Sequence, residues 1–155
     1  MPIIAAEYIH TMIIAMAPVL ELRGAIPYGL AQGLPFWPVF AVSLVGNVVP
    51  VPFLILFIRP VFAFLRRSRL LGPLIERLER RAHLKGRKVN RYKALGLFIL
   101  VAIPLPGTGA WTGALVAAFL DIRMRNALLA IALGVLAAGI LVSLISYSAF
   151  LIITM

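Results

Sequence analysis

An acid and an arginine lie two residues apart in an otherwise apolar stretch, Glu21 and Arg23 within Pro-Val-Leu-Glu-Leu-Arg-Gly-Ala-Ile-Pro. Ionisable side chains inside a membrane are costly and indicate a functional site by default. If these two are functional, Glu21 is suited to carry a proton, and the planar guanidinium of Arg23 can hold a phosphate or carboxylate through two hydrogen bonds. The structural alternative is an internal ion pair, each member of which also caps a broken helix end. The two interpretations can coexist.

Breaks in the apolar segments supply the other candidates for substrate or proton binding. Helices that begin after Gly24 and after Gly109 would direct backbone N–H groups at a shared cavity. Hydrogen bonding between helices is the alternative role for Asn47, Thr108 and Thr112. The full candidate set is Glu21, Arg23, Gly24, Pro27, Asn47, Pro104, Pro106, Gly107, Thr108, Gly109 and Thr112.

Glu7 and His10 have a Glu-x-x-His spacing that also occurs in carboxylate metal sites of helix bundles. A single copy is weak evidence, so we expect no metal; a proton relay and a solvated entrance are the alternatives for this pair. The chain lacks the His-Glu-x-x-His, Gly-x-Ser-x-Gly and phosphate-loop motifs. We therefore expect neither an enzyme nor a cofactor.

The composition places these residues in a membrane protein. Of the 155 residues, 63% are apolar and 13% charged, and the mean hydropathy is +1.05, whereas a soluble domain has about 25% charged residues. The length allows at most about four spans of ~20 residues. A long pump or a multi-domain enzyme is excluded. With no cysteine, the chain can have neither a disulfide nor a thiolate metal site.

Almost all of the positive charge lies in one linker, residues 59–93, where 12 basic residues face two acids. This excess equals the net charge of +10, and the positive-inside rule places it in the cytoplasm of a multi-pass plasma (inner) membrane protein. Leu71, Leu74, Ile75 and Leu78 recur at helical spacing there and predict an amphipathic surface helix that rests on membrane lipids. A lipid sensor or RNA-binding arm is the alternative; we expect no nucleic-acid partner.

Four apolar segments flank this linker. Residues 36–58 and 126–154 can cross as transmembrane helices, because each holds an uncharged run longer than about 20 residues. Residues 3–34 and 94–120 are interrupted by proline and glycine, and the ten residues from Ala94 to Ile103 extend only about 15 Å. Such a segment is either a re-entrant hairpin or a discontinuous crossing helix. The hairpin is favoured because it keeps Arg123 and Arg125 on the side of the basic linker.

These elements predict an all-α integral membrane protein with one membrane domain, residues 1–155. It consists of two inverted repeats, each a re-entrant helical hairpin plus a transmembrane helix, joined by the basic cytoplasmic linker. Four membrane elements enclose little cavity, so a homodimer is expected. Ala130, Gly134 and Ala138 recur at four-residue steps and allow close helix packing, and they offer a candidate dimer face.

The segments Pro18-Val-Leu-Glu-Leu-Arg-Gly-Ala-Ile-Pro-Tyr-Gly29 and Pro104-Leu-Pro-Gly-Thr-Gly-Ala-Trp-Thr-Gly113, with the basic linker between them, resemble the putative small multi-drug export protein family. The architecture is also similar to that of the DedA/VTT group. This resemblance implies re-entrant hairpins that face each other, and a role in lipid-carrier translocation or proton-dependent drug tolerance. Its acid at the first hairpin tip corresponds to Glu21. The arginine usual in its second hairpin has no counterpart between Ala94 and Leu120.

The sequence thus predicts a small secondary transporter or lipid translocator that moves an amphipathic small molecule or an anionic lipid. Glu21 would cycle a proton while Arg23 holds the substrate. The rival interpretation is a membrane scaffold or assembly factor that transports nothing, with structural hairpins and a basic linker that recruits an anionic partner.

Overall fold

The computed structural model describes residues 2–66, 89–105 and 107–154. Every regular element within these ranges is an α-helix, which confirms the all-helical part of the predicted fold. The amphipathic helix expected near residues 71–82, and Pro106, lie outside the described residues. The helices are α1 (Pro2–Met16), α2 (Glu21–Ala31), α3 (Phe36–Val48), α4 (Pro50–Arg66), α5 (Val89–Ala102), α6 (Ala110–Phe119) and α7 (Met124–Thr154).

Two helical stretches are long and apolar enough to cross a bilayer, Phe36–Val61 and Met124–Ser148. They coincide with the two spans expected from the sequence. The first is interrupted at Val49, between α3 and α4. Pro50 follows at once and has no N–H to donate to the preceding turn, which accounts for the interruption.

Helices α1 and α2 pack side by side as hairpin 1 (residues 2–31). Pro18 lies in the turn that joins them, where it cannot donate to the last turn of α1. The hydroxyl of Tyr28, late in α2, donates to Glu7 Oε2, early in α1, at 2.8 Å. The two helices are therefore antiparallel, and hairpin 1 begins and ends at the same end of the molecule.

Helices α5 and α6 form hairpin 2 (residues 89–119) in the same way. Lys93 Nζ, near the start of α5, donates to the carbonyl oxygen of Leu120, just after α6, at 3.4 Å. Nearer the turn, Val101 lies where a side chain on Gly113 would otherwise point. At about 1.5 Å per residue, α1, α2, α5 and α6 reach about 15–22 Å, less than a ~30 Å hydrocarbon core.

Both hairpins end in the same type of turn. After α2, the N–H of Leu34 donates to Gly29 O and that of Gly33 to Leu30 O. After α6, the N–H of Ile122 donates to Ala117 O and that of Asp121 to Ala118 O. This is the Schellman arrangement, whose central residue has a left-handed conformation. Gly33 (φ 74°) and Asp121 (φ 49°) occupy that position, 88 residues apart.

The buried core lies where α7 packs against both hairpins and against α3 and α4. Its largest fully buried apolar side chains are Leu22, Ile26, Val39, Val51, Ile55, Val101, Ile122, Ile131 and Val135. Large apolar side chains also cover the outside: Phe53, Phe57 and Phe64 on α4 are 69–77% exposed. An apolar exterior on this scale is typical of a surface that contacts lipid.

The row of small residues on α7 corrects one sequence prediction. A side chain on Gly134 would meet Val101 and the carbonyl oxygen of Phe98, both on α5. Ala130 and Ala138 are buried in the same core. Close helix packing explains the row, as expected, but hairpin 2 of the same chain occupies it. This face is therefore not available to a second subunit.

Candidate functional site

The turns of the two hairpins meet inside the molecule. We define tip 1 as residues 16–24 and tip 2 as residues 103–111. The guanidinium of Arg23 donates to the carbonyl oxygens of Leu105 and Thr108, the latter at 2.6 Å, and to Thr108 Oγ1 at 3.0 Å. A helix break leaves carbonyl groups without intrahelical partners. Arg23 of tip 1 supplies donors to those of tip 2.

Glu21 of tip 1 has the complementary role. Its Oε1 accepts a hydrogen bond from the N–H of Trp111, in the first turn of α6, at 3.3 Å. A carboxylate is favoured at this position because the first N–H groups of a helix have no intrahelical acceptor and carry partial positive charge. Glu21 is 5% exposed and has φ 50°. A buried acid is thus held in a left-handed backbone conformation against a helix N-terminus.

Gly109 makes the close approach of the Glu21 carboxylate possible. A Cβ atom on Gly109 would overlap the carboxylate, which lies directly over its backbone. Its φ of 143° and ψ of −164° are also almost restricted to glycine. The glycine predicted as a site residue is therefore required by contact and by conformation.

Trp111 is a contact residue that sequence reasoning missed. Its indole Nε1–H donates to the carbonyl oxygen of Met16, at the end of α1, at 3.1 Å. Tip 2 thus donates to a carbonyl of tip 1, in the opposite direction to the bonds of Arg23. Neither the residue type nor its position in the sequence gave a signal for this bond.

Thr108 and Thr112 satisfy the broken backbone of tip 2. Thr108 Oγ1 accepts from the N–H of Leu105 at 3.2 Å and lies 2.7 Å from the carbonyl oxygen of Ile103. Thr112 Oγ1 donates to the carbonyl oxygen of Gly107, which has φ 83°, at 2.9 Å. Both hydroxyls therefore bond within hairpin 2, and that of Thr108 also accepts from Arg23 of hairpin 1.

A narrow crevice, closed in this conformation, lies beside the carboxylate of Glu21. Its walls come from both tips, from α3 and α7, and from the end of α5, and they comprise Glu21, Leu22, Arg23, Asn47, Val101, Gly109, Ala110, Val135 and Ala138. Asn47 is 1% exposed, and the described part of the structure supplies no hydrogen-bond partner to either of its side-chain polar atoms. A buried amide without a partner is costly. Asn47 is therefore the polar group of this crevice that a bound species would satisfy.

The predicted site residues divide into two groups. The structure brings Glu21, Arg23, Asn47 and Gly109 together at the crevice, and Thr108 joins them through Arg23. Gly24 instead lies against Leu20 and Ile14 within hairpin 1, and Pro27 is exposed on α2. Pro104, Gly107 and Thr112 shape the break without lining the crevice.

Glu7 and His10 lie at the open end of hairpin 1, away from the crevice. His10 Nδ1 is 3.8 Å from Glu7 Oε2, the oxygen that also accepts from Tyr28. The side chain of His10 is 57% exposed and that of Glu7 26%. Among the described residues, no three His, Asp or Glu side chains are close enough to hold a metal ion together.

At the crevice, one carboxylate and one guanidinium face two helix breaks and a free amide. Such a set can exchange protons and bind anionic groups, since each charge already contacts backbone groups that a ligand could replace. The family model described as putative small multi-drug export protein matches residues 21–141. No curated protein and no solved structure matches the chain.

Proposed function

The chain belongs to the putative small multi-drug export protein family, and from this and the geometry of the tips we propose that it is a small secondary transporter. Family and apolar helices together indicate an export protein of the membrane rather than an enzyme. The proposed cargo is an amphipathic small molecule or an anionic lipid. Transport is coupled to protons through Glu21, while Arg23 holds the cargo.

The proposal treats both hairpins as re-entrant. Each begins and ends at one end of the molecule, as the Glu7–Tyr28 and Lys93–Leu120 contacts require. None of their four helices is long enough to cross by itself. Exposed backbone within lipid costs several kcal/mol per group, so the breaks must be buried or solvated. The contact between the tips supports this in part, because each tip supplies hydrogen-bond donors to carbonyl groups of the other break, while Val19 and Leu105 stay exposed.

The two halves are proposed as inverted repeats. The Schellman residues Gly33 and Asp121 are separated by 88 residues, and the same step relates Glu21 to Gly109 and Arg23 to Trp111. Glu21 and Gly109 touch each other, as residues near a pseudo-two-fold axis would. Arg23 and Trp111 each donate to a carbonyl of the opposite tip. Rocking one repeat against the other would then give alternating access.

Charge at the two ends supports an orientation. Arg59 Nη2 donates to the carbonyl oxygen of Ile122, and Lys93 lies beside Leu120. Arg123 and Arg125 follow at the same end, whereas residues 2–10 and 28–41 contain no Lys or Arg. By the positive-inside rule, the open end of hairpin 2 and the basic linker face the cytoplasm of the plasma (inner) membrane.

One observation carries the proposal. Glu21 and Arg23 are the only charged side chains that line the crevice in the described structure, and each of them contacts the opposite hairpin. In this conformation the crevice is closed, since the tips satisfy each other. Separation of the tips would release the carboxylate, the guanidinium and the N-terminus of α6 toward one cavity.

Reconstitution into liposomes tests the function. Wild type should show pH-gradient-driven flux of amphipathic anions, or flipping of labelled phospholipid or polyprenyl phosphate. Glu21→Gln and Arg23→Ala should each lower that rate at least tenfold. Asp121→Asn is the matched control, because its side chain is 74% exposed and lies at the open end of hairpin 2. Equal rates in all four proteins would refute the transporter.

The scaffold interpretation is the second candidate, and the mutual capping of the tips favours it in one respect. If Glu21 and Arg23 serve only to join the hairpins, their substitution lowers stability without any specific effect on flux. Replacing the arginines of residues 66–81 should then abolish recruitment of an anionic partner. In a transporter the same replacement changes orientation or lipid preference only.

A homodimer remains part of the proposal, through a face other than the α7 row; crosslinking in native membranes that yields only monomer would oppose it.

A further inference from the structure

We infer that the carboxylate of Glu21 occupies an oxyanion site, and that an anionic group of the cargo replaces it there only when Glu21 takes up a proton. The inference deepens the proposed transporter and rests on it for the opening of the tips. Proton and anion would then bind together, one proton for each anion.

The site is defined by what surrounds the carboxylate. Glu21 Oε1 accepts from the Trp111 N–H at the start of the ten-residue helix α6. The missing Cβ of Gly109 leaves the space that the carboxylate fills. Backbone N–H groups at a helix N-terminus, approached over a glycine, form a common anion site in proteins. An acid of the chain itself is the present occupant.

Asn47 provides independent evidence that the site can hold a further species. It lines the same crevice from α3 and is 1% exposed, yet neither its amide nitrogen nor its carbonyl oxygen has a partner in the described structure. The amide nitrogen can donate to an anion. A carboxylate already bonded to α6 leaves that donor unused, whereas a larger oxyanion with several acceptor oxygens would satisfy both.

The Glu21 carboxylate and the anionic group of the cargo exclude each other because both are negatively charged. The described elements around Glu21 contribute a single other charged side chain, Arg23 on the same tip; residues 94–120 contain no ionisable side chain, and residues 126–148 contain only Tyr147, which does not line the crevice. With Glu21 ionised, the side-chain charges cancel, and a second anion would face a carboxylate at contact distance. With Glu21 protonated, Arg23 and the N-terminus of α6 attract the anion without opposition.

The test is a binding titration with probes whose charge does not change with pH. Phe replaces Trp37, leaving Trp111 as the one tryptophan of the chain and a fluorescence reporter beside Glu21. The full-length protein is titrated in phosphatidylcholine nanodiscs with octanesulfonate, and with inorganic sulfate to detect a site for a soluble anion. A third arm titrates phosphatidylglycerol into the nanodiscs to detect a site for a lipid headgroup. Asp121→Asn in the same background is the control.

We expect the apparent Kd of the preferred probe to rise about tenfold per pH unit once Glu21 is ionised. In Glu21→Gln the Kd should be low and independent of pH, because the competing charge is absent. Arg23→Gln should weaken binding at every pH. A pH-indicator dye in weak buffer should record about one proton taken up per bound anion by the Glu21 protein, a measurement that needs no variant at the site.

Three results would overturn the inference: no proton uptake, the same pH dependence in Glu21→Gln as in the Glu21 protein, or weaker binding by Glu21→Gln at high pH. The last would mean that the carboxylate helps to hold the ligand. Failure of the proposed function is distinguishable, since it would appear as proton-linked binding without flux in liposomes. Flux without proton-linked binding would remove the inference and leave the transporter.

Discussion

The two tips perform the same structural task with different chemical groups. Tip 1 contributes both charges, Glu21 and Arg23. Tip 2 has no charged residue; it contributes backbone carbonyls, helix N–H groups, the hydroxyl of Thr108 and the indole of Trp111. Each tip therefore supplies hydrogen-bond partners to the broken backbone of the other. Two hairpins that end in the same type of turn can thus still differ in that one tip carries all of the charged side chains.

This asymmetry shows why the position that matches Glu21 is a glycine. The two residues are 88 apart and in contact. Two carboxylates at that distance would repel each other in a site of low dielectric constant, and a Cβ on the second residue would collide with the first. One half thus has the acid because the other half has the space for it. The substitutions below test this division of roles, beginning with the largest expected effect.

The largest effect is expected for Gly109→Ala. The new methyl group would overlap the Glu21 carboxylate, and alanine would be strained at φ 143°. The free energy of unfolding in detergent should fall by about 3 kcal/mol or more. Gly107→Ala is the matched control in the same tip: its φ is 83°, but nothing lies within 4 Å of the added atom. It should cost only about 1 kcal/mol. Equal losses would mean that backbone strain alone, and not Glu21, requires the glycine.

The next effect tests the charges of tip 1. Arg23→Ala removes the guanidinium donors to the carbonyl oxygens of Leu105 and Thr108, although the Thr108 N–H still donates to Leu105 O, and we expect a loss of about 2 kcal/mol in thermal or denaturant unfolding. Arg23→Lys keeps the positive charge but loses the planar fork that reaches both oxygens. It should therefore fall between wild type and Arg23→Ala. Full stability of the lysine variant would show that charge suffices and that the paired contacts contribute little.

Much of this arrangement follows from the sequence, since long uncharged runs predicted both spans and proline and glycine predicted both breaks. Glu21 and Arg23 were identified because ionisable residues are rare in apolar segments. The pairing of the halves was harder to predict. Identities such as Pro18 with Pro104 and Leu34 with Leu120 suggest a step of 86 residues, whereas the turns after α2 and α6 match at 88. The step of 88 residues is defined by the left-handed backbone conformation that Gly33 and Asp121 share.

Two site features could not be deduced from residue type. The Trp111 indole donates to a carbonyl 95 residues away, and such a bond leaves no periodicity to detect. The sequence left two roles open for Arg23, ligand binding and capping of a broken helix end; which backbone groups it would contact could not be predicted, and in the structure its donors face tip 2. Residue identity located the charged pair, and only the fold determines what the pair contacts.

The contribution of tip 2 is tested by Trp111→Phe. Phenylalanine keeps an aromatic ring at the start of α6 but removes the donor to Met16 O, so the free energy of unfolding should fall by about 1 kcal/mol. Trp37→Phe is the control, since Trp37 is 75% exposed and its described contacts are with the rings of Phe36 and Phe40. A loss no larger than that of the control would leave Arg23 and Glu21 as the main contacts between the tips.

The smallest effects are expected in the turns that end the two hairpins. These turns have the same backbone hydrogen bonds, but Gly33 occupies the left-handed position in one and Asp121 in the other. Asp121 has φ 49° and lies 3.9 Å from Arg59; its exposed ion pair contributes little, whereas glycine relieves the left-handed backbone. Asp121→Gly should therefore raise the unfolding free energy by about 0.5 kcal/mol, with Asp121→Asn near neutral, because asparagine tolerates this conformation.

Gly33→Ala should lower the unfolding free energy by about 1 kcal/mol, since the added atom meets nothing within 4 Å and only the backbone conformation is strained. Opposite signs at the two ends would establish that the turns are equivalent in backbone. A destabilised Asp121→Gly would instead show that the bond from Arg59 to this turn depends on the carboxylate.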